Sequence, residues 1–257
     1  MLYHIDSRIL AVLLFAGIIL CYFMGLKALQ YKQKSNPSHE PSGIGAFESA
    51  MLGLISLLLA FTFNMSASHY DTRRQVLLNE INDIGTVILR CDLYPDSVRS
   101  QLRNDLKSYI AERIHYYEAG TDEKEIKVAL DRANVISGRM WSLIATVSRQ
   151  EGSATKSMQM IPAVNAMMDA VSTREEARKA HVPESIHWLL FALCLTGSFI
   201  VGYASRSRKA DWIILLSYSL LTVLTVYLIL DLDQPRYGFI NINSTHQNMY
   251  DLMNAFK

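Results

Sequence analysis

IGAFESAMLGLISLLLAFTFNM, residues 44–65, runs directly into SASHYDTRRQVLLNEINDIGTVILR, residues 66–90, with neither proline nor glycine between Gly53 and Gly85. The first stretch is apolar almost throughout, and at 1.5 Å per residue it is long enough to cross a hydrocarbon core of roughly 30 Å. The second keeps a helical period through Val76, Leu77, Ile81, Ile84 and Ile88 but carries charge on its other faces. One uninterrupted helix therefore crosses the membrane and leaves it as a stalk.

Three other runs pass the same length test: Ile9 to Leu26, Ile186 to Tyr203 and Trp212 to Leu230, and none of the four contains Lys, Arg or Asp. Half of the residues are apolar and the mean hydropathy is only slightly positive, which fits a chain partly in lipid and partly in water. The first run has only Arg8 before it and no small-x-small cleavage site after it, so it is read as a retained span and not as a signal. The net charge of +1 leaves no footprint for nucleic acid. Cys21 and Cys194 lie inside spans and Cys91 is alone in the polar part, so neither a disulfide nor a thiolate metal site is expected.

Between Ser66 and Pro183 the apolar residues recur at helical spacing, without strand alternation or repeats. The stalk is expected to stop near Tyr94-Pro95. A second helix follows from Pro95 to Ala119, with Val98, Leu102, Leu106, Tyr109, Ile110 and Ile114 inward and Gly120 at its end. A third begins at Asp122, with Glu125 three residues on as in a capping box, and turns Ile126, Leu130, Ala133, Ile136, Met140 and Leu143 inward. After a turn at Glu151 to Ser157, a fourth runs from Met160 to Ala180.

The expected fold is all-α: a polytopic membrane protein with four transmembrane helices and an extramembrane four-helix bundle between spans two and three. Its parts are residues 1–66 (two spans and a basic loop), 67–185 (bundle), 186–232 (two spans) and 233–257, a tail whose Met249, Leu252, Met253 and Phe256 predict a short amphipathic helix on the bundle or at the membrane interface. The short connections carry Lys27, Lys32 and Lys34, and Arg206, Arg208 and Lys209, which the positive-inside rule places in the cytoplasm of a cell inner membrane. Both termini and the bundle then lie outside. Arg73, Arg74, Arg178 and Lys179, at span ends on the opposite side, pull the other way.

No H-E-x-x-H, G-x-S-x-G or phosphate loop occurs and the seven histidines are dispersed, so neither an enzyme nor a cofactor is expected. His115, beside Tyr116 and Tyr117, reads as surface or packing. In the second span Gly45, Ser49, Gly53, Ser56, Ala60 and Asn64, continued by Ala67, form a stripe of small or polar groups, either a helix-packing surface or a pore wall. Glu48 complements the dipole at the start of that helix. Asp231 and Asp233 do the opposite at the end of the fourth span, so positive groups are expected beside them, with His69, Arg73 and Arg74 as candidates and divalent-ion binding or an ion-selecting ring as the alternatives.

Two stretches carry a family resemblance: LLLAFTFNMS (57–66) with YDTRR (70–74) and NEINDIGT (79–86), then DLDQPRYG (231–238). Together they resemble the bestrophin-like membrane proteins, a family named for its likeness to bestrophins, which are pentameric anion channels with a pore lined by the second span. The resemblance implies a homo-oligomeric ion channel in the lipid bilayer, with inorganic ions as its cargo. Pore-neck aromatics and an acidic calcium clasp are missing, which separates the chain from true bestrophins. The competing reading is a non-conducting sensor or scaffold whose bundle binds a ligand or partner. A secondary transporter fits less well, because there is no broken helix and no inverted repeat.

Overall fold

A computed structural model of the chain describes residues 5–35, 45–205, 210, 212–234, 240 and 243–256. Described residues form helices α1 (Ser7–Ser35), α2 (Gly45–Arg90), α3 (Asp96–Glu118), α4 (Glu123–Ser148), α5 (Ala154–Lys179), α6 (Glu184–Tyr203), α7 (Trp212–Asp233) and α8 (Asn243–Leu252), with single 3₁₀ turns at Cys91–Leu93 and Met253–Phe256 and no strand. The chain divides into two compact units, one of Met1–Tyr70 with His181–Ile240 and one of Asp71–Ala180 with Asn241–Lys257. The basic loop residues Arg206, Arg208 and Lys209 and the segment 235–239 lie outside the described residues.

In the first unit, α1, α2, α6 and α7 each carry an apolar window long enough to cross a bilayer. Leu10, Leu14 and Ile18 of α1 meet Leu190 and Cys194 of α6, Val226 and Ile229 of α7, and Ile55 of α2. Glycines set the approach of α1 to α6. A Cβ on Gly25 would run into the Phe199 carbonyl, and one on Gly202 into the Tyr22 carbonyl. Lipid tails give apolar helices no reason to associate, so close backbone contact has to supply the attraction. The Ser198 hydroxyl adds a 2.7 Å bond to the Ile18 carbonyl across the same seam.

In the second unit, Leu77, Ile84 and Val87 of α2 form one core with Leu102, Leu106 and Ile110 of α3, Met140 and Ile144 of α4, and Met160, Val164 and Met167 of α5. Helix α2 is 46 residues long, roughly 69 Å at the standard rise and more than twice the hydrocarbon thickness. Asp122 caps α4, its Oδ1 accepting from the Lys124 and Glu125 amides at 2.9 and 3.3 Å. Gly120 closes α3 with φ +56°. Helix α5 starts at Ala154, a turn and a half before the expected Met160, because the loop is finished by Gly152 at φ +76° and the chain is free to coil at once. Pro162 consequently sits inside α5. Met249 of α8 is fully buried in the bundle core, with Leu252, Met253 and Phe256 packed against it.

Candidate functional site

Helix α2 differs from the other spans in what it leaves uncovered. Only 11% of its apolar window is buried within the chain, against 33% for α1 and for α7 and 39% for the window that includes α6. Ile55, Thr62 and Ser66 make the buried strip. At 100° per residue, Gly45, Ser49, Gly53, Ser56, Ala60 and Asn64 fall on an arc roughly a third of a turn away, and all six are exposed. Nothing lies within 4 Å of a Cβ placed on Gly45 or Gly53. Phe47, Leu54, Leu57 and Phe61 form a third, bulky and equally exposed strip. Among the described residues no other span covers the stripe of small and polar groups. Glu48 stands in the first turn of the same helix.

Where α7 ends, Asp233 is wholly buried. Its Oδ1 accepts from His69 Nδ1 at 3.1 Å, its Oδ2 from the Val182 amide at 3.0 Å, and its carbonyl from His181 Nδ1 at 3.0 Å. Asp231, 1% exposed, accepts the Ile240 amide at 2.8 Å. Two carboxylates at a helix C-terminus are thus met by imidazole and backbone N–H groups, which offsets the unfavourable dipole. Of the five residues expected to cluster here, these contacts join His69 to Asp233. Arg73 sends Nε to the Ala177 carbonyl at 3.1 Å and Nη2 to the Ala180 carbonyl at 2.5 Å, closing the C-terminus of α5. Arg74 is exposed and borders an open depression with Asp71, Thr72 and Gln75. His115 lies 3.6 Å from Glu112 and 3.5 Å from Glu125. Among the described residues no three His, Cys, Asp or Glu side chains are grouped to hold a metal ion.

One constellation in the bundle escaped the sequence reading. Glu80 of α2 is completely buried between Arg113 of α3, equally buried, and Arg174 of α5, whose Nη1 lies 2.6 Å from Glu80 Oε2. Burial alone would push the Glu80 carboxyl up, but the two guanidinium charges and their hydrogen bonds outweigh it and hold the group below the usual range. The Tyr116 ring faces both arginines, at 4.6 and 5.0 Å. Its hydroxyl donates to Glu175 at 2.9 Å. Burial likewise works to raise Glu175, and the donors Arg178, Tyr116 and Lys179 instead bring it down to about 2. A signal was present: each member of the triad interrupts an apolar stripe. Glu80 falls between Leu77 and Ile84, Arg113 follows Leu106, Tyr109 and Ile110, and Arg174 lies between Ala170 and Ala177. A charge at a core position requires a buried partner.

The bestrophin-like domain matches residues 29–246 of the chain. The chain belongs to the bestrophin-like family. This bestrophin-like chain is also similar in fold to crystal structures of a bacterial bestrophin homolog from Klebsiella pneumoniae. The variant carrying an Asp-to-Ala mutation gives a TM-score of 0.68 at 13% identity, over 95% of this chain and 98% of that one. A variant with an Ile-to-Thr mutation gives 0.63 at 16%, over 93% and 99%. A third structure, described as a membrane protein with a Pro-to-Ala change, gives 0.61 at 13%, over 93% and 98%. No curated protein matches the chain by sequence. At such identities the likeness concerns the fold, in which four apolar helices are accompanied by a set of polar ones.

Proposed function

We propose that this chain is the subunit of a homo-oligomeric ion channel and that α2 lines its pore. The supporting observation is the three-sided character of α2. One narrow strip meets the chain's own helices, a bulky strip is suited to lipid or a neighbouring subunit, and the stripe from Gly45 to Asn64 offers hydroxyl, amide and bare backbone to water. Polar groups left unpaired in hydrocarbon are costly, so a stripe of this kind is stable where copies of the chain surround water. Family membership supports the reading, since bestrophins themselves conduct anions through a pore lined by the second span. On this reading the central helices lie outside the bilayer, which the length of α2, more than twice the hydrocarbon thickness, supports.

Ion flux into liposomes reconstituted with purified protein, combined with its mass in mild detergent, tests the proposal. An oligomeric mass and ion flux are expected. Replacing Ser56 by Trp should abolish or sharply reduce flux without lowering the melting temperature of the isolated subunit. Protein of single-chain mass with no flux would favour the scaffold reading. Sidedness rests on loop charge alone. The basic residues Lys27, Lys32 and Lys34 toward the end of α1 and Arg206, Arg208 and Lys209 between the last two spans favour termini outside, against the opposing pull of Arg73, Arg74, Arg178 and Lys179. Phosphatase and fluorescent-protein fusions after Lys257 decide it.

A further inference from the structure

Helix α8 reaches the bundle core through a histidine. His246 is 1% exposed, its ring stacks on Tyr117 of α3 with centroids 3.4 Å apart and planes at 21°, and its Nε2 lies 2.8 Å from Arg174 Nη2. A guanidinium has only donors and keeps its charge at any ordinary pH. Nε2 must therefore accept, which requires a neutral imidazole with its proton on Nδ1. Arg174 is held in place, since its Nη1 is bound by Glu80, which also takes Arg113, and its guanidinium faces the Tyr116 ring. A proton on Nε2 would remove the acceptor and set a second cation against the arginine in a buried site.

We propose that His246 is a proton-sensitive latch, which holds the C-terminal helix on the bundle while neutral and releases it on acidification. The groups facing it are Arg174 from α5, Tyr117 from α3 and, within α8, Tyr250, whose hydroxyl donates to Glu118 of α3 at 2.7 Å. Behind Arg174 stand Glu80 of α2 and Arg113 and Tyr116 of α3. Glu80 is already shared by two arginines and has no charge to spare for a third cation. Helix α8 has ten residues, too few to stay helical in water by itself, so release also unfolds it.

Hydrogen exchange on the full-length protein in detergent, corrected for intrinsic rates, tests the latch. If the docked form excludes the proton and the released histidine titrates near the reference value of about 6.5, docking weakens about tenfold between pH 7.5 and 5.5. Protection of residues 243–252 should fall by that factor while α4 stays protected. His246→Asn and His246→Gln present an amide oxygen to Arg174 and cannot titrate in this range, so their protection should be the same at both pH values. Arg174→Met leaves Glu80 and Arg113 as a neutral pair and should diminish the drop. Equal wild-type protection at the two pH values overturns the proposal. So does an undiminished drop in the Arg174→Met variant.

Discussion

The membrane unit and the bundle hold their helices together by opposite means. In the membrane unit the closest contacts are bare backbone, Gly25 under the Phe199 carbonyl and Gly202 under that of Tyr22, with cross-helix hydrogen bonds such as those from Ser198 and His69 added to them. In the bundle, apolar burial supplies the drive, and the most buried polar feature is ionic, with Glu80 between Arg113 and Arg174. The difference follows from the solvent that the proposed topology gives each unit. Water pushes apolar faces together from a distance, which leaves room in the core for a charged set that fixes which helix faces meet. Lipid does not, and a helix pair there is stabilised by how closely it can approach.

The largest effect should come from breaking the ionic set. Glu80→Gln leaves two buried guanidinium groups without their counter-charge and should destabilise the bundle by about 3–5 kcal/mol, read as a fall in melting temperature in detergent. Replacing all three residues together, with Leu at 80 and Met at 113 and 174, should restore most of that loss. If the triple variant is no better than Glu80→Gln, the set stabilises through more than its own neutrality. The pH dependence has a definite sign. Because the folded Glu80 carboxyl lies below its ordinary value of 4.5, its stabilisation is fully present above about pH 4.5 and is lost as pH falls through the depressed folded value. Acid loss of bundle helicity should therefore begin below that pH and be smaller in the triple variant, which keeps the acid-sensitive contribution of Glu175.

Next in size are the glycines. Gly25→Ala and Gly202→Ala each drive a Cβ into a backbone carbonyl that cannot move without its helix, and should cost about 1–3 kcal/mol. Gly17 meets only the end of the Leu195 side chain, so Gly17→Ala should be milder. Gly53 sharpens the comparison. A Cβ there meets nothing in the chain, so Gly53→Ala should leave the stability of the isolated subunit unchanged or raise it slightly. An effect of Gly53→Leu on flux or assembly alone would point to a surface used between copies.

How far the sequence discloses these features depends on whether they are local. Helix ends at Pro95, Gly120 and Asp122 are readable because the residues that stop and start a helix act within one turn. The four apolar runs are readable for the same reason. The start of α5 is not, because Met160 is only the first large apolar residue of a helix that begins at Ala154 with small and polar ones. The tie from His69 to Asp233 spans 164 residues and that from Arg174 to Glu80 spans 94, and no periodicity encodes such pairings. What the sequence did offer was a sign conflict at Asp231 and Asp233, which asked for donors without naming them. Two histidines and the Val182 and Ile240 amides are among those that answer it.

That tie gives a third prediction of intermediate size. Asp233→Asn keeps the shape but replaces one acceptor oxygen by a donor facing either His69 or the Val182 amide, and should destabilise the membrane unit by about 1–3 kcal/mol. His69→Ala should cost less, since the contacts of Asp233 with the Val182 amide and with His181 survive. A double-mutant cycle between the two positions should show coupling, and strict additivity in melting temperature would mean that the 3.1 Å contact contributes nothing.

The smallest effect belongs to a helix end in the bundle, and it bears on the same contrast. Asp122 adopts an extended backbone, φ −74° and ψ 98°, and its Oδ1 takes two of the amides that a helix start leaves without intrahelical partners. The expected capping box is only half made, because the described contacts run from Asp122 to the amides of Lys124 and Glu125, while the Glu125 side chain lies toward His115 at 3.5 Å. Asp122→Ala should therefore cost about 1 kcal/mol, and Asp122→Asn, whose amide oxygen caps equally well, a few tenths at most. Helix α6, by contrast, starts after Pro183 with no side-chain cap, and proline serves there by fixing φ and by removing one donor from the competition for partners. If Asp122→Ala and Asp122→Asn melt alike, the cap acts through charge at the positive end of α4 rather than through its hydrogen bonds, and high salt should then erase the difference between wild type and both variants.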